Sequence, residues 1–202
     1  MALLNLLIVV VLMALALPCA LACTYLLVQT LMSASLPTPP ASSRRLRFDI
    51  VVPAHNEAAG IAHTIANLRQ LDWPTDQYRI LVVADNCTDA TAAVAGVAGA
   101  SVIQRHDPTL RGKGYALRFA FQRCHEDAWA DVIVIVDADS EVTPNLLEAF
   151  ASRIEQGAHA VQASYGVLNA KGSWRTRLLT VAIGAVDTVR SRARERWRVS
   201  SG

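Results

Sequence analysis

Four side chains in this sequence are of types that could do chemistry together: Asp85, Lys113, Asp137 and Asp139. Asp137 and Asp139 close the apolar run "DVIVIVDAD", separated by Ala138 alone. Alternate side chains of a strand point to one face, so the two carboxylates are expected to converge. Converging anions repel unless a cation lies between them. Two carboxylates completed by phosphate oxygens and water suit Mg²⁺ or Mn²⁺, which take oxygen ligands. Asp85 ends a second apolar run, "YRILVVAD", and Lys113 opens a predicted helix, where its ammonium and the first backbone N–H groups could meet a phosphate. The nucleotide site so outlined is of neither common kind. No G-x-G-x-x-G follows the first strand, and "RGKGYAL" contains no G-x-x-x-x-G-K-[ST]. Plainer roles stand beside these. Asp137 with Asp139, and Asp85 with Asn86, are also good turn residues; Thr88 or Asp89 suits a helix N-cap; Lys113 suits a solvated helix start. His55 is expected to be structural, and Cys87 and Cys124 inert.

The elements that must hold these residues alternate. "RFDIVVPA" reads as a strand, and Glu57 to Leu71 as a helix with apolar spacing at Ile61, Ile65 and Leu68. "YRILVVAD" is the second strand, Thr88 to about Ala98 an alanine-rich helix, and "SVIQR" a short third strand. A helix over Lys113 to about Glu126 leads into "DVIVIVDAD". Pro144 fits the first turn of a helix ending at Gln156, with Gly157 as its stop, and "AHAVQASY" predicts a further strand. This alternation implies an α/β domain, a mainly parallel sheet with helices on both faces. Such sheets bind ligands at the carboxyl ends of their strands, where "PAHNE", "ADNCTD" and "DADSE" fall.

The chain of 202 residues has a net charge of +2, and no Lys, Arg, Asp or Glu precedes Arg44. This near-neutral balance gives no reason to expect a nucleic-acid partner. Residues 1–36 are almost continuously apolar, broken by Asn5, Pro18 and Gln29. About 20 apolar residues span a bilayer, so a transmembrane anchor is expected. A signal peptide would need a positive start and a shorter apolar core. A flexible linker over 37–47, containing "PTPPASS", brings the chain to Arg44, Arg45 and Arg47. Their charge predicts a cytoplasmic globular domain and a single-pass membrane protein. Four scattered cysteines without a C-x-x-C indicate neither a zinc site nor a disulfide framework. A last helix over about Trp174 to Val199 carries Arg175, Arg177, Arg190, Arg192, Arg194, Arg196 and Arg198. It suits either a packed helix with a solvated basic end or one lying on an anionic leaflet.

"VVPAHNEAAGI", "VVADNCTDAT", "RGKGYALRFAF" and "VIVDADSEV", in this order and at these intervals, resemble the donor-binding half of family 2 glycosyltransferases with a GT-A fold. The resemblance covers roughly Phe48 to Asn169. It implies that Pro53, Asn56 and Glu57 lie in the nucleotide-binding first loop and that Asp85 contacts the base, uracil being expected. Lys113 would lie near the diphosphate. Asp137 and Asp139 would form the D-x-D pair that holds Mg²⁺ or Mn²⁺, with Asp137 also meeting the donor. The metal would stabilise the diphosphate as a leaving group. The implied activity is metal-dependent, inverting transfer of a sugar from a nucleotide-diphosphate donor, a UDP-sugar by preference, to a lipid or saccharide acceptor.

The chain departs from the family pattern in two places. Ala84-Asp85 stands where the family often has two aspartates. No acceptor-side acid pattern follows D-x-D, since only Asp187 and Glu195 come after Glu155, and Ala193 breaks the likeness of "ARERW" to Q-x-x-R-W. The general base is therefore expected beyond the chain end and no catalytic residue is assigned. The expected organisation is an anchor over 1–36, a linker over 37–47, a nucleotide-sugar-binding domain over 48–170 and the start of an incomplete acceptor region over 171–202. Two alternatives remain: a non-catalytic donor-binding fragment, and a D-x-D phosphatase of the haloacid-dehalogenase kind with Asp137 as nucleophile. The phosphatase needs a later lysine and acidic pair, and only Lys171 follows.

Overall fold

The computed structural model describes residues 1–33, 40–168, 170, 172–184 and 189–196. The chain divides into two compact units, Pro39–Gln162 and the combined segments Met1–Thr38 and Ala163–Gly202. The first unit contains strands β1 (Phe48–Ala54), β2 (Tyr78–Asp85), β3 (Ser101–Arg105) and β4 (Val132–Ile135). They form one sheet in the order β3-β2-β1-β4, with every pairing parallel. Register follows the apolar runs: Val51 lies beside Leu81 on one side and Ile135 on the other. One face, with Val51 and Val83, packs on Ala116, Ala120 and Cys124 of a long helix, Lys113–Asp127. The alternate residues Ile50, Val52, Ile80 and Val82 are buried on the opposite face. Helix Ile61–Leu68 turns Ile61, Ile65 and Leu68 inward and neighbours helix Thr91–Val97. In chain order these helices are α2 (Ile61–Leu68), α3 (Thr91–Val97) and α4 (Lys113–Asp127), followed by α5 (Leu146–Glu155). Small residues on α4 let the helix approach the sheet closely, and the β-branched Ile50, Val51 and Val52 fill both faces of the central strand β1, whereas Ile133 and Ile135 of the edge strand β4 stay exposed.

Several boundaries differ from expectation. β4 ends at Ile135, so Asp137 and Asp139 lie in the turn that follows it. Helix α2 begins only at Ile61, because Glu57 to Gly60 form a preceding turn closed by Gly60 N–H to Glu57 O at 3.1 Å. Residues 158–165, "AHAVQASY", form no strand. Alternation supplies propensity, but a strand needs a hydrogen-bonding neighbour, and this segment pairs with none. The part of the linker after Pro39 is pinned. Ser42 donates from N and Oγ to the two oxygens of Glu148 at 2.7 and 2.8 Å. Ser43 holds Glu155 in the same way, and this keeps the Glu155 carboxyl below its usual range. Arg44 pairs with Asp72 at 2.9 Å and lies over Trp73, 5.1 Å from the ring centre.

The second unit contains α1 (Ala2–Met32), α6 (Trp174–Ile183) and α7 (Arg190–Arg196). At 31 residues α1 extends ~46 Å, enough to cross a bilayer. Its apolar side chains face outward. Three of its polar side chains bond within the helix: Thr24 and Thr30 hydroxyls donate to Ala20 O and Leu26 O, and Gln29 Nε2 to Tyr25 OH at 2.7 Å. Self-satisfied polar groups are what an apolar solvent demands. Helix α7 packs along α1, and Gln29 and Ala193 are both buried. The expected last helix is thus represented by α6 and α7. Its stretches 185–188, with Asp187, and 197–199, like Lys171, lie outside the described residues.

Candidate active site

The sheet order places a change of direction between β1 and β4: the chain steps from β1 out to β2 and β3, then returns through α4 to β4 on the other side. A crevice opens at the carboxyl ends at such a point. β1, β2 and β4 deliver the expected first-loop residues and the three aspartates to that edge, and the start of the helix Lys113–Asp127 adds Lys113. Pro53 is the next-to-last residue of β1, beyond the last β4 pairing at Val51–Ile135, where a missing N–H leaves no gap in the β1–β4 ladder.

Beyond Pro53 the loops after β1, β2 and β3 are stitched together. Asn56 sits at φ 57°, a left-handed conformation asparagine tolerates. Its Oδ1 accepts from Thr88 N–H at 2.8 Å and from the Thr88 hydroxyl at 3.3 Å. Its side chain therefore builds the loop, which sequence reasoning left open. Glu57 N–H donates to Thr91 Oγ1 at 2.8 Å, and Ala58 N–H to Asp89 Oδ2 at 3.1 Å. Asp89 also accepts from the hydroxyl and the N–H of Thr91. The sequence offers Thr88 or Asp89 as an N-cap, but the cap position of α3 is Ala90, which makes no side-chain cap bond, and Asp89 instead ties the start of α3 to the first loop. These bonds, the Thr91 hydroxyl foremost, hold its carboxyl below the usual range. His55 Nδ1 lies 2.7 Å from Asp85 O, the structural role expected of it. Cys87 Sγ lies 3.5 Å from Asn56 N and from Ala54 O.

Asp85 is buried, and its Oδ1 receives Arg105 at 2.6 Å and Asn86 Nδ2 at 3.1 Å. Asn86, also left-handed at φ 51°, accepts from Asp107 N–H at 2.8 Å. Asp107 accepts from Leu110 N–H and from the Thr109 N–H and hydroxyl, which lowers its pKa. Sequence reasoning missed Arg105 and Asp107. The "DPT" turn signal was available for Asp107. Nothing in the sequence marks Arg105, because its role depends on the β2–β3 register that sets it beside Asp85.

The D-x-D turn is fastened to α2. Ala138 O accepts the Thr64 hydroxyl at 2.5 Å, Asn67 pairs with Val142 in both directions at 2.8 and 3.1 Å, and Glu141 meets His63 at 2.8 Å. Val136 and Ala138 are buried, while Asp137 is half-exposed and Asp139 exposed. Both carboxylates thus face outward although the strand has ended. Lys113, first residue of α4, reaches Asp137 Oδ1 with its ammonium. Gly112, before it, sits at φ 114°, a conformation only glycine adopts freely, and α4 has no side-chain cap. Asp139 has no hydrogen-bond or ion-pair partner among the described residues. No group of three or more acidic, His or Cys side chains suited to a metal occurs among them either. Two outward carboxylates fit a hard divalent ion only as a partial shell, to be completed by ligand oxygens and water.

The model of glycosyl transferase family 2 matches residues 49–199, about three-quarters of the chain. The chain belongs to this family. That sets aside the phosphatase alternative. This family 2 domain is similar to the probable glycosyltransferase YdaM of Bacillus subtilis (strain 168), at 26% identity over 75% of the chain and 37% of YdaM. It is also similar to the low-salt glycan biosynthesis hexosyltransferase Agl6 of Haloferax volcanii, at 36% identity over 52% of the chain and 25% of Agl6. The chain thus spans well under half the length of these curated relatives. Among solved structures, it resembles the mannosyltransferase PcManGT from Pyrobaculum calidifontis, in complex with GDP-Man and Mn²⁺, with a TM-score of 0.55 and 21% identity over 71% of this chain and 41% of that one. This likeness establishes the GT-A-type fold.

Proposed function

We propose that this family 2 domain is the donor-binding part of a membrane-bound glycosyltransferase that moves a sugar from a nucleotide diphosphate, UDP by preference, to a lipid or saccharide acceptor with inversion. The observation that carries this reading is the outward pair Asp137 and Asp139 at the switch point, fixed from below by Thr64 and Asn67. Asp85, held in place by Arg105 and Asn86, meets the base. The first loop, with Pro53, Asn56 and Glu57, lines the nucleotide site, and Lys113 serves the diphosphate. Asp137 and Asp139 would hold Mg²⁺ or Mn²⁺, which would supply Lewis-acid stabilisation of the diphosphate leaving group. The chain's own groups orient the donor so that the acceptor oxygen meets the sugar's anomeric carbon opposite the bond that breaks. The domain boundaries proposed are those of the sequence: 1–36 anchor, 37–47 linker, 48–170 donor domain and 171–202 acceptor-side region.

Calorimetry with UDP tests the site. With Mn²⁺ present, Asp139→Asn removes one charged oxygen ligand, a contact worth about 1.5–3 kcal/mol, so UDP affinity falls tenfold or more. Equal affinity for wild type and variant would leave "DAD" as a turn and nothing more. For topology, α1 is the proposed span and Arg44, Arg45 and Arg47 place the domain in the cytoplasm. Basic α7, lying along α1, fits a position at the anionic leaflet. A reporter fused after Gly202 should be active in the cytoplasm, and activity confined to the periplasm would reverse the orientation.

A further inference from the structure

Lys113 and Asp137 come from different elements, the first turn of α4 and the turn after β4, yet they meet. Among the described residues, Asp137 alone of the two outward carboxylates has a cation beside it, and that cation is a side chain. We propose that Lys113 is a built-in counter-ion that occupies Asp137 in the metal-free protein and exchanges to the donor's diphosphate when a divalent ion binds. The inference rests on the reading of Asp137 and Asp139 as the metal pair and adds a linkage between metal and nucleotide.

The physical argument is one of competition. An ammonium and a divalent ion both seek the oxygens of Asp137, and like charges cannot share them closely. A divalent ion on Asp137 repels the ammonium on Oδ1 and so favours release of Lys113. The lysine stem is long and its side chain 53% exposed, so its head can swing without disturbing the helix. Asp137 is 45% exposed, so the pair is easily broken. Phosphate oxygens brought in with the metal then offer the freed ammonium a new partner, one with more negative charge than a single carboxylate. Metal alone displaces the lysine without providing for it, whereas metal with diphosphate does both. Metal and nucleotide should then each strengthen the binding of the other.

Lys113→Met, which keeps the stem and removes the charge, separates the two partners of the exchange. The full chain in detergent is titrated with Mn²⁺ alone, followed by electron paramagnetic resonance, and then with UDP at saturating Mn²⁺. Releasing an exposed pair of this kind is expected to raise affinity for Mn²⁺ alone about two- to fivefold. Loss of the ammonium–phosphate contact is expected to weaken UDP about tenfold or more. The opposite signs are the signature. If Lys113→Met binds Mn²⁺ alone no better than wild type, whether equally, more weakly or undetectably, the exchange is refuted while metal-dependent UDP binding by wild type still stands. If UDP affinity is unchanged in the variant, the lysine does not move to the diphosphate and the proposal fails on its second half. If wild type binds UDP equally with Mn²⁺ and with chelator, the donor-site reading itself fails, and the exchange with it. Circular dichroism of the variant confirms that α4 persists.

Discussion

At the amino end of the sheet Asp49 of β1 is 0% exposed and receives Arg79 of β2 through two bonds, at 2.8 and 2.9 Å. Arg79 also pairs with Asp127 at 2.7 Å and lies over Trp129, 4.2 Å from the ring centre, and these carboxylates push its pKa further up. At the carboxyl end Asp137 is half-exposed and meets one exposed cation, Lys113, while Asp139 faces solvent. The first cluster is closed: Asp49, Arg79 and Asp127 are each paired within the cluster. The second is open, with two carboxylates and one ammonium among the described residues. Parallel strands can thus carry carboxylates at both ends, and it is their compensation, rather than their presence, that separates scaffold from site. Cys124 belongs to the closed end. Burial, aided by the nearby Asp49 charge, pushes its thiol up to about 11, in keeping with the inert role expected of it.

The contrast is broken if both ends respond alike to loss of a carboxylate. The largest effect is expected from Asp49→Ala. Removing one partner of a buried ion pair costs about 3–5 kcal/mol. The lower end applies, since Arg79 keeps Asp127 and its side chain is 37% exposed. About 3 kcal/mol corresponds to a fall in Tm of roughly 6–12 °C for a chain of this size. UDP affinity of the folded fraction should be unchanged. Asp139→Asn should do the reverse, losing UDP affinity with Tm within about 2 °C of wild type, because an exposed unpartnered charge holds nothing together. Scanning calorimetry on both variants decides it, and a large Tm loss in Asp139→Asn would erase the distinction.

A smaller effect sharpens the picture within the open end. The loops there are tied by hydrogen bonds although the ligand face is open, and Asp89 and Asp107 do much of the tying. Both have pKa values lowered by the N–H and hydroxyl groups they accept from. A carboxylate depressed on folding adds stability that is fully present above its unfolded pKa, about 3.9, and is lost as pH falls through the folded value. Thermal stability should therefore be flat across neutral pH with respect to these groups and decline below about pH 4. Asp89→Asn should lower stability at neutral pH and flatten the acid decline, and an unchanged acid profile would show that Asp89 ties nothing.

The sequence by itself determined the parallel α/β plan, since buried strands of β-branched residues alternating with helices have few other ways to hide both faces. It also determined which loops reach the ligand edge, because that follows from strand direction, and that α1 is an uncharged helix long enough for a bilayer. Tertiary structure decided what depends on partners distant in the chain. "AHAVQASY" has the alternation of a strand but no neighbour to bond. Ser42 and Ser43 lie in a stretch that reads as flexible linker, yet they meet Glu148 and Glu155 more than 100 residues away. Asn56 reads as a ligand-loop residue and spends its carboxamide on Thr88. Asp137 and Lys113 were visible as an anion and a cation, but that one occupies the other follows only from the packing of α4 beside β1, which brings the start of the helix to the end of β4. Local pattern fixes what each segment can bury, whereas hydrogen bonds and ion pairs between segments depend on distances that exist only once the chain has closed.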